Sequence, residues 1–353
     1  MISIINMNKM RTVVLTALVY MLGQSGLAYA VEGNLVLLQS LKGSWSFSIG
    51  MNEEWNSPKF SDAGWETIKA PSSWEDQGFN GYNGYAFYRK KITIPAIHKG
   101  RMLYLYLGYI DDVDEVCLNG HKIGSTGSFP PHYNTAYDAE RVYYIPEQYI
   151  NFDGINLISV KVYDSYQAGG IVSGEIGLYG GKTSIAFDVN LQSVWKFKAG
   201  DDFKYKDTDL DDSKWDEVIV PAKWEDQGYR DYDGYAWYRK TFVYKGTSTD
   251  DKLVVLMGKI DDIDQVYING TLVGSTGNLT SRLYARVYAG QEYEASRGYY
   301  LPAGLLLKGQ KVVIAVRVLD TGGIGGIYEG PVGIVTQAKY IDYWRKNKSS
   351  GGK

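Results

Sequence analysis

The chain repeats itself. Displaced by 150 residues, it matches itself without gaps, and 13 of the 20 positions in 71–90 are identical with those in 221–240. Pro71-Ser-Ser-Trp-Glu-Asp-Gln-Gly78 aligns with Pro221-Ala-Lys-Trp-Glu-Asp-Gln-Gly228, and Gly84-Tyr-Ala-Phe-Tyr-Arg-Lys90 with Gly234-Tyr-Ala-Trp-Tyr-Arg-Lys240. Gly108-Tyr-Ile-Asp-Asp-Val-Asp114 aligns with Gly258-Lys-Ile-Asp-Asp-Ile-Asp264, Asn119-Gly120 with Asn269-Gly270, Trp45 with Trp195 and Trp65 with Trp215. After Gly127 and Gly277 the second copy gains six residues, so Tyr143-Tyr-Ile-Pro146 meets Tyr299-Tyr-Leu-Pro302, Asp164 meets Asp320, and Gly169-Gly-Ile171 meets Gly325-Gly-Ile327. A period this long exceeds any solenoid repeat and implies two tandem copies of one whole domain. The expected organisation is a processing segment over 1–30, copy one over 31–181, copy two over 190–337 and a polar, basic tail over 338–353.

Within a copy the pattern is that of strands. Residues 85–94, 102–107 and 157–163 alternate and are rich in aromatic and β-branched side chains. Asn119-Gly120 between two apolar runs predicts a two-residue type I′ hairpin, because Asn and Gly tolerate the positive φ that turn needs. No segment sustains a 3.6-residue period. The 41 Gly, 31 Tyr, 9 Trp and 10 Phe suit turn-rich sheets with aromatic cores. The fold class expected is all-β: two tandem jelly-roll β-sandwiches, galactose-binding-domain-like.

Antiparallel succession then places the loops. If strand 85–94 begins at an upper end, segments 74–85, 109–114, 127–138 and 164–174 all return to that end. They carry Trp74, Glu75, Asp76, Tyr82, Asp111, Asp112 and Asp164. The second copy offers Trp224, Glu225, Asp226, Tyr232, Asp261, Asp262 and Asp320. Carboxylates, aromatics and glycine backbone at one end describe a candidate ligand site. A Trp face can stack on a pyranose while carboxylates accept from its hydroxyls. The alternative is that Trp74 and Trp224 cap the core and the Glu-Asp-Gln turns bond to backbone. The aspartates have three readings: contact with sugar, ion pairs, or Ca²⁺. The ion-pair reading joins Arg89 and Arg239 to Asp114 and Asp264. The spacing is not that of an EF-hand loop, which counts against Ca²⁺, and no other metal or organic cofactor is expected.

Charge, cysteine and the N-terminus bound the function class. Lys+Arg 37 against Asp+Glu 40 gives a net charge of −3, which disfavours nucleic-acid binding. One cysteine, Cys117, allows no intramolecular disulfide and no CxxC metal site. The three histidines, His98, His121 and His132, have no histidine counterparts in the second copy. Lys9 and Arg11 precede an apolar run at Val13–Leu22, and Ala28-Tyr29-Ala30 has the form of a cleavage site. A secreted or periplasmic protein, cleaved near Ala30 and without a membrane span, is expected.

Trp45, Asp212-Ser213, Trp215, Pro-x-x-Trp-Glu, Gly-Tyr-x-x-Tyr-Arg-Lys, the Asn-Gly hairpin and Leu-x-x-Val-x-Val-x-Asp…Gly-Gly-Ile together resemble the sugar-binding jelly-roll domain of glycoside hydrolase family two. The second copy, through Gly258–Asp264, Asn269-Gly270, Leu301–Gly304 and Val316–Asp320, is also similar to the domain inserted in sialate O-acetylesterases. The resemblance implies a sandwich fold and a carbohydrate context. The hydrolases carry their two glutamates in a separate barrel, and the esterases a Ser/His/Asp site in another domain. Neither is expected here, and Gly23-Gln-Ser-Gly26 lies inside the processing segment. The reading is therefore a secreted, non-catalytic protein whose two modules bind oligo- or polysaccharide, with no catalytic residue assigned. A family-two-like hydrolase, or the accessory subunit of a separate catalytic chain, is the alternative. A structural module at a cell surface is a third reading.

Overall fold

In the computed structural model the described residues are 35–181, 185–246, 252–277 and 292–350. The processing segment over 1–30 lies outside them. The described residues from Val36 onward cluster as one compact unit.

Copy one contributes ten strands: β1 (Leu35–Ser40), β2 (Gly43–Ile49), β3 (Glu66–Ala70), β4 (Gly84–Thr93), β5 (Leu103–Asp111), β6 (Val113–Leu118), β7 (His121–Thr126), β8 (Glu140–Ile145), β9 (Ile155–Asp164) and β10 (Gly170–Gly181). Copy two repeats them in order: β11 (Val189–Asn190), β12 (Ser193–Ala199), β13 (Asp216–Val220), β14 (Gly234–Val243), β15 (Leu253–Ile260), β16 (Ile263–Ile268), β17 (Thr271–Thr276), β18 (Ser296–Tyr300), β19 (Lys311–Asp320) and β20 (Ile327–Thr336). A six-stranded sheet β3-β2-β4-β9-β6-β7 faces a four-stranded sheet β1-β10-β5-β8, and copy two has the same orders shifted by ten. Two all-β sandwiches of one topology account for the repeat.

The core follows from period-2 alternation. In copy two, Trp195, Phe197, Tyr238, Val255, Met257, Val266, Val316, Val318, Val332 and Ile334 point between the sheets and are buried. Trp45, Phe47, Tyr88, Leu105, Leu107, Val116 and Val160 are buried at the matching positions of copy one. Each first Trp is also tied by its indole N–H, Trp45 to the Leu41 carbonyl at 3.0 Å and Trp195 to the Leu191 carbonyl at 2.8 Å. The Asn-Gly hairpins form as expected, with φ of 53° and 84° at Asn119-Gly120 and 48° and 76° at Asn269-Gly270.

Two expectations about boundaries change. The segment 164–174 is not all loop, because β10 begins at Gly170 and pairs with Asp111 of β5. The tail after 336 is helix α1 (Gln337–Ser350), anchored by Tyr340 and Tyr343 packed on Val254, Leu256 and Val335. Tertiary contact on a sheet stabilises a helix whose own sequence carries little amphipathic signal.

The sandwiches touch through a loop of copy two. The turn Glu225–Gln227 rests on β7, where Ser125 Oγ donates to the Asp226 carbonyl at 3.1 Å. Arg230 donates to the Asn134 carbonyl at 3.4 Å. A cleft of about 520 Å³ is lined by Lys99, Glu147 and Phe152 of the first copy and Asn190, Gln192 and Lys240 of the second.

Candidate functional site

The four upper segments of copy one converge. Asp111 closes β5 and Asp164 closes β9, with Asp112 in the bend between β5 and β6. Single carboxylate oxygens of Asp111, Asp112 and Asp164 lie within 4.8 Å of one another. Asp112 accepts from Thr135 Oγ1 at 2.6 Å, from the Ser165 N–H at 2.9 Å and from Ser165 Oγ at 2.8 Å. One carboxylate thus knots segment 127–138 to the chain after β9. Tyr133 shares a hydrogen bond of 2.8 Å with Ser165 Oγ and sets its ring edge-on to Tyr163. Glu75 Oε2 accepts from the Gly169 N–H at 3.0 Å, which brings segment 74–85 to the same end.

These environments pull the carboxylates apart in acidity. Burial alone would raise Asp112, but the hydrogen bonds from Thr135, Tyr133 and Ser165 hold it at about 2. Burial and the neighbouring Asp112 carboxylate push Asp111 up to about 7. Burial, with Asp112 and Glu75 nearby, pushes Asp164 up to about 6. In copy two burial and the Asp262 and Asp320 charges push Asp261 up to about 8. Burial takes Glu225 and Asp320 each to about 7. Asp262 accepts from the Thr321 N–H at 2.8 Å and from Thr321 Oγ1 at 2.5 Å, matching Asp112 and Ser165.

The tryptophan reading needs correction. Trp74 and Trp224 are fully buried and offer no face to a sugar. The reason is the Gly-Gly-Ile segment: its first glycine lies against the ring. A Cβ on Gly169 would fall 2.1 Å from Trp74, and one on Gly325 1.8 Å from Trp224. Tyr82 and Tyr232 set their rings edge-on to these tryptophans and donate their hydroxyls to the carbonyls of Tyr85 and Tyr235, at 2.7 and 2.6 Å. Both therefore brace the turn. Asp76 stands exposed on that turn, whereas Asp226 is half-buried at the contact with copy one.

The ion pairs are also redrawn. Asp114 pairs with Arg141 at 2.7 Å and Asp264 with Arg297 at 2.8 Å, all four fully buried. Arg89 instead lies 3.9 Å from Asp62, and Arg239 2.9 Å from Asp212. Alternation explains the change. Asp114 shares the inner face of β6 with Val116, while Arg89 shares the outer face of β4 with Phe87. On that outer face the Arg89 guanidinium covers Phe60 and Trp65 at 5.3 and 5.6 Å. Sequence reasoning missed Arg141 and Arg297. The Tyr143/Tyr299 alignment, extended two residues upstream, contains both.

Each of these arginines holds the upper loop in place. Arg141 donates through Nη1 to the carbonyls of Ala136 and Ala139 and through Nη2 to the Asp112 carbonyl at 2.9 Å. Tyr143 donates to the second Asp114 oxygen at 2.6 Å. Arg297 and Tyr299 repeat this on Asp264, Glu292, Ala295 and the Asp262 carbonyl. The longer loop of copy two lies mainly in 278–291, outside the described residues.

The rim of copy one carries open aromatic rings. Tyr133 is 37% exposed and Tyr166 71%, with Tyr109 and Tyr137 also open. Tyr166 donates its backbone N–H to Asp164 Oδ1 at 3.0 Å.

Comparison with known proteins places part of the chain. No protein-family profile matches it. A Formosa agariphila protein assigned as a beta-glucuronidase is 31% identical over 148 residues, covering 38% of this chain and 13% of the relative. The beta-glucuronidase of Streptococcus agalactiae serotype V is 32% identical over 98 residues, covering 26% of this chain and 15% of the relative. The chain resembles these enzymes over a part of its length and matches only about a seventh of theirs. Neither relative is an esterase. A solved beta-glucuronidase of glycoside hydrolase family two aligns over 82% of this chain and 27% of its own, at 15% identity and a TM-score of 0.36. That likeness is too shallow to carry a function. The all-β sandwich fold stands on the sheets themselves.

Proposed function

We propose that this protein is an exported carbohydrate-binding protein that acts through the upper end of its first sandwich. The observation that carries the reading is the coupling of an open aromatic ring to a buried carboxylate: Tyr133 to Ser165 to Asp112. A sugar needs a flat apolar platform beside fixed acceptors, and Tyr133 and Tyr166 flank Asp111, Asp112 and Asp164 in that way. The partial relationship to beta-glucuronidases supports a glycan ligand, and the acidic sugar in their name is the first class to test. The protein would act alone or as the accessory chain of a separate hydrolase. Retention on a glycan array or in affinity electrophoresis is the expected result, with Tyr133→Ala weakening it about tenfold. Intact protein retained by no glycan removes the reading.

One observation favours a hydrolase: Asp111 at about 7 and Asp112 at about 2 are split in the manner of an acid and its partner. Their oxygens lie closer than the roughly 5–10 Å that flanks a glycosidic bond, so binding remains preferred. Turnover of an aryl-glycoside, lost in Asp111→Asn, would reverse that preference.

A further inference from the structure

The same three aspartates form a second kind of site. The geometry points to a calcium-sized divalent cation held between Asp111, Asp112 and Asp164 of the first sandwich. Two observations carry this. The first is the span: one oxygen from each carboxylate lies within 4.8 Å of the others. Three carboxylates gathered in one place suit Ca²⁺, which takes about six to eight oxygen ligands in a flexible geometry, better than Mg²⁺, which is usually held by one or two carboxylates. The second is an orphan acceptor. Asp164 is 0% exposed, its Oδ1 is taken by Tyr166, and its Oδ2 is buried without a hydrogen-bond partner. A buried acceptor left unmatched is costly unless something outside the chain satisfies it.

Among the described residues no cationic side chain hydrogen-bonds to the carboxylates of this cluster. The Arg141 guanidinium sits beneath it but spends Nε on Asp114 and its other donors on the carbonyls of Ala136, Ala139 and Asp112. Asp112 is held in place by Thr135 and Ser165, which fixes its carboxylate beside the open oxygen of Asp164. A dication would bridge the ends of β5 and β9 and fix the loop that carries Tyr133. The inference stands whether or not a sugar binds there.

The test uses the full chain stripped with EDTA. Calorimetric titration with CaCl₂ should give one site with a dissociation constant on the order of 10⁻⁴–10⁻³ M, and MgCl₂ should bind more weakly. Tb³⁺ should show luminescence sensitised by Tyr133 and Tyr163. Asp164→Asn and the half-exposed Asp111→Asn should each weaken Ca²⁺ at least about tenfold, and Asp111→Asn keeps the reading open if Asp164→Asn fails to fold. Asp320→Asn in the second copy should leave the affinity unchanged. No heat and no rise in melting temperature at about 10 mM CaCl₂ would overturn the site, as would wild-type affinity in both copy-one variants.

Discussion

The upper ends of the two sandwiches began as the same sequence and ended in different surroundings. In copy one the turn after Trp74 leaves Asp76 exposed, and exposed tyrosines rim the carboxylates. In copy two the equivalent turn lies on β7 of the first sandwich, with Asp226 and Arg230 bonded across the contact. Burial there pushes the Asp226 carboxyl up to about 6. The second copy thus spends part of its upper end on holding the first, and the first is left open. Duplication supplied two candidate sites, and packing differentiated them.

The strongest way to break this comparison is to attack what the copies share. Arg141→Met and Arg297→Met each leave a buried aspartate without its cation, at an expected cost of about 3–5 kcal/mol. Urea denaturation should show similar losses in both. A large loss in one and none in the other would mean that the two networks are not equivalent.

Next come the glycines against the tryptophans. Gly169→Ala and Gly325→Ala push a methyl into an aromatic ring, an overpacking worth about 1–3 kcal/mol in thermal unfolding. Gly169→Ala should in addition weaken glycan retention, because Gly169 also holds Glu75. Gly325→Ala should not.

The pH dependence sharpens the comparison further. Asp111, Asp164, Glu225, Asp261 and Asp320 have folded pKa values raised to about 6–8. The folded chain therefore keeps protons that the unfolded chain releases from about pH 4, and stability declines as pH rises from about 4 through 8. Asp112 runs the other way: its contribution is present above about pH 4 and is lost as pH falls toward 2. Melting temperatures between pH 5 and 8 should fall, and Asp261→Asn should flatten that slope more than Asp164→Asn, since Asp261 is raised further.

The smallest effect belongs to the contact between the sandwiches. Arg230→Ala removes one long hydrogen bond at a partly open site and should cost at most about 1 kcal/mol. If it instead changes glycan retention, the second copy takes part in the site of the first.

Much of the fold is legible in the sequence because its determinants are local and occur twice. Alternation marks β4, β5 and β9, Asn-Gly marks the hairpins, and strand direction alone brings Asp111, Asp112, Asp164 and Glu75 to one end. What is not legible depends on which face meets which neighbour. The same alternation that reveals a strand does not say that Arg89 and Asp114 look to opposite sides of the sheet, or that Arg141 on another sheet reaches Asp114 across the core. Trp74 looks like a sugar platform until the backbone of Gly169, 95 residues on, is seen lying on its ring.

The sequence by itself determined two all-β copies, their hairpins and the gathering of acidic residues at one end, since these follow from periodicity, turn chemistry and repetition. Only the tertiary structure decided which aromatic rings stay open, which carboxylate is left without a partner, and which of two homologous ends is covered. Those outcomes depend on contacts between segments far apart in the chain, where burial and like charge act together.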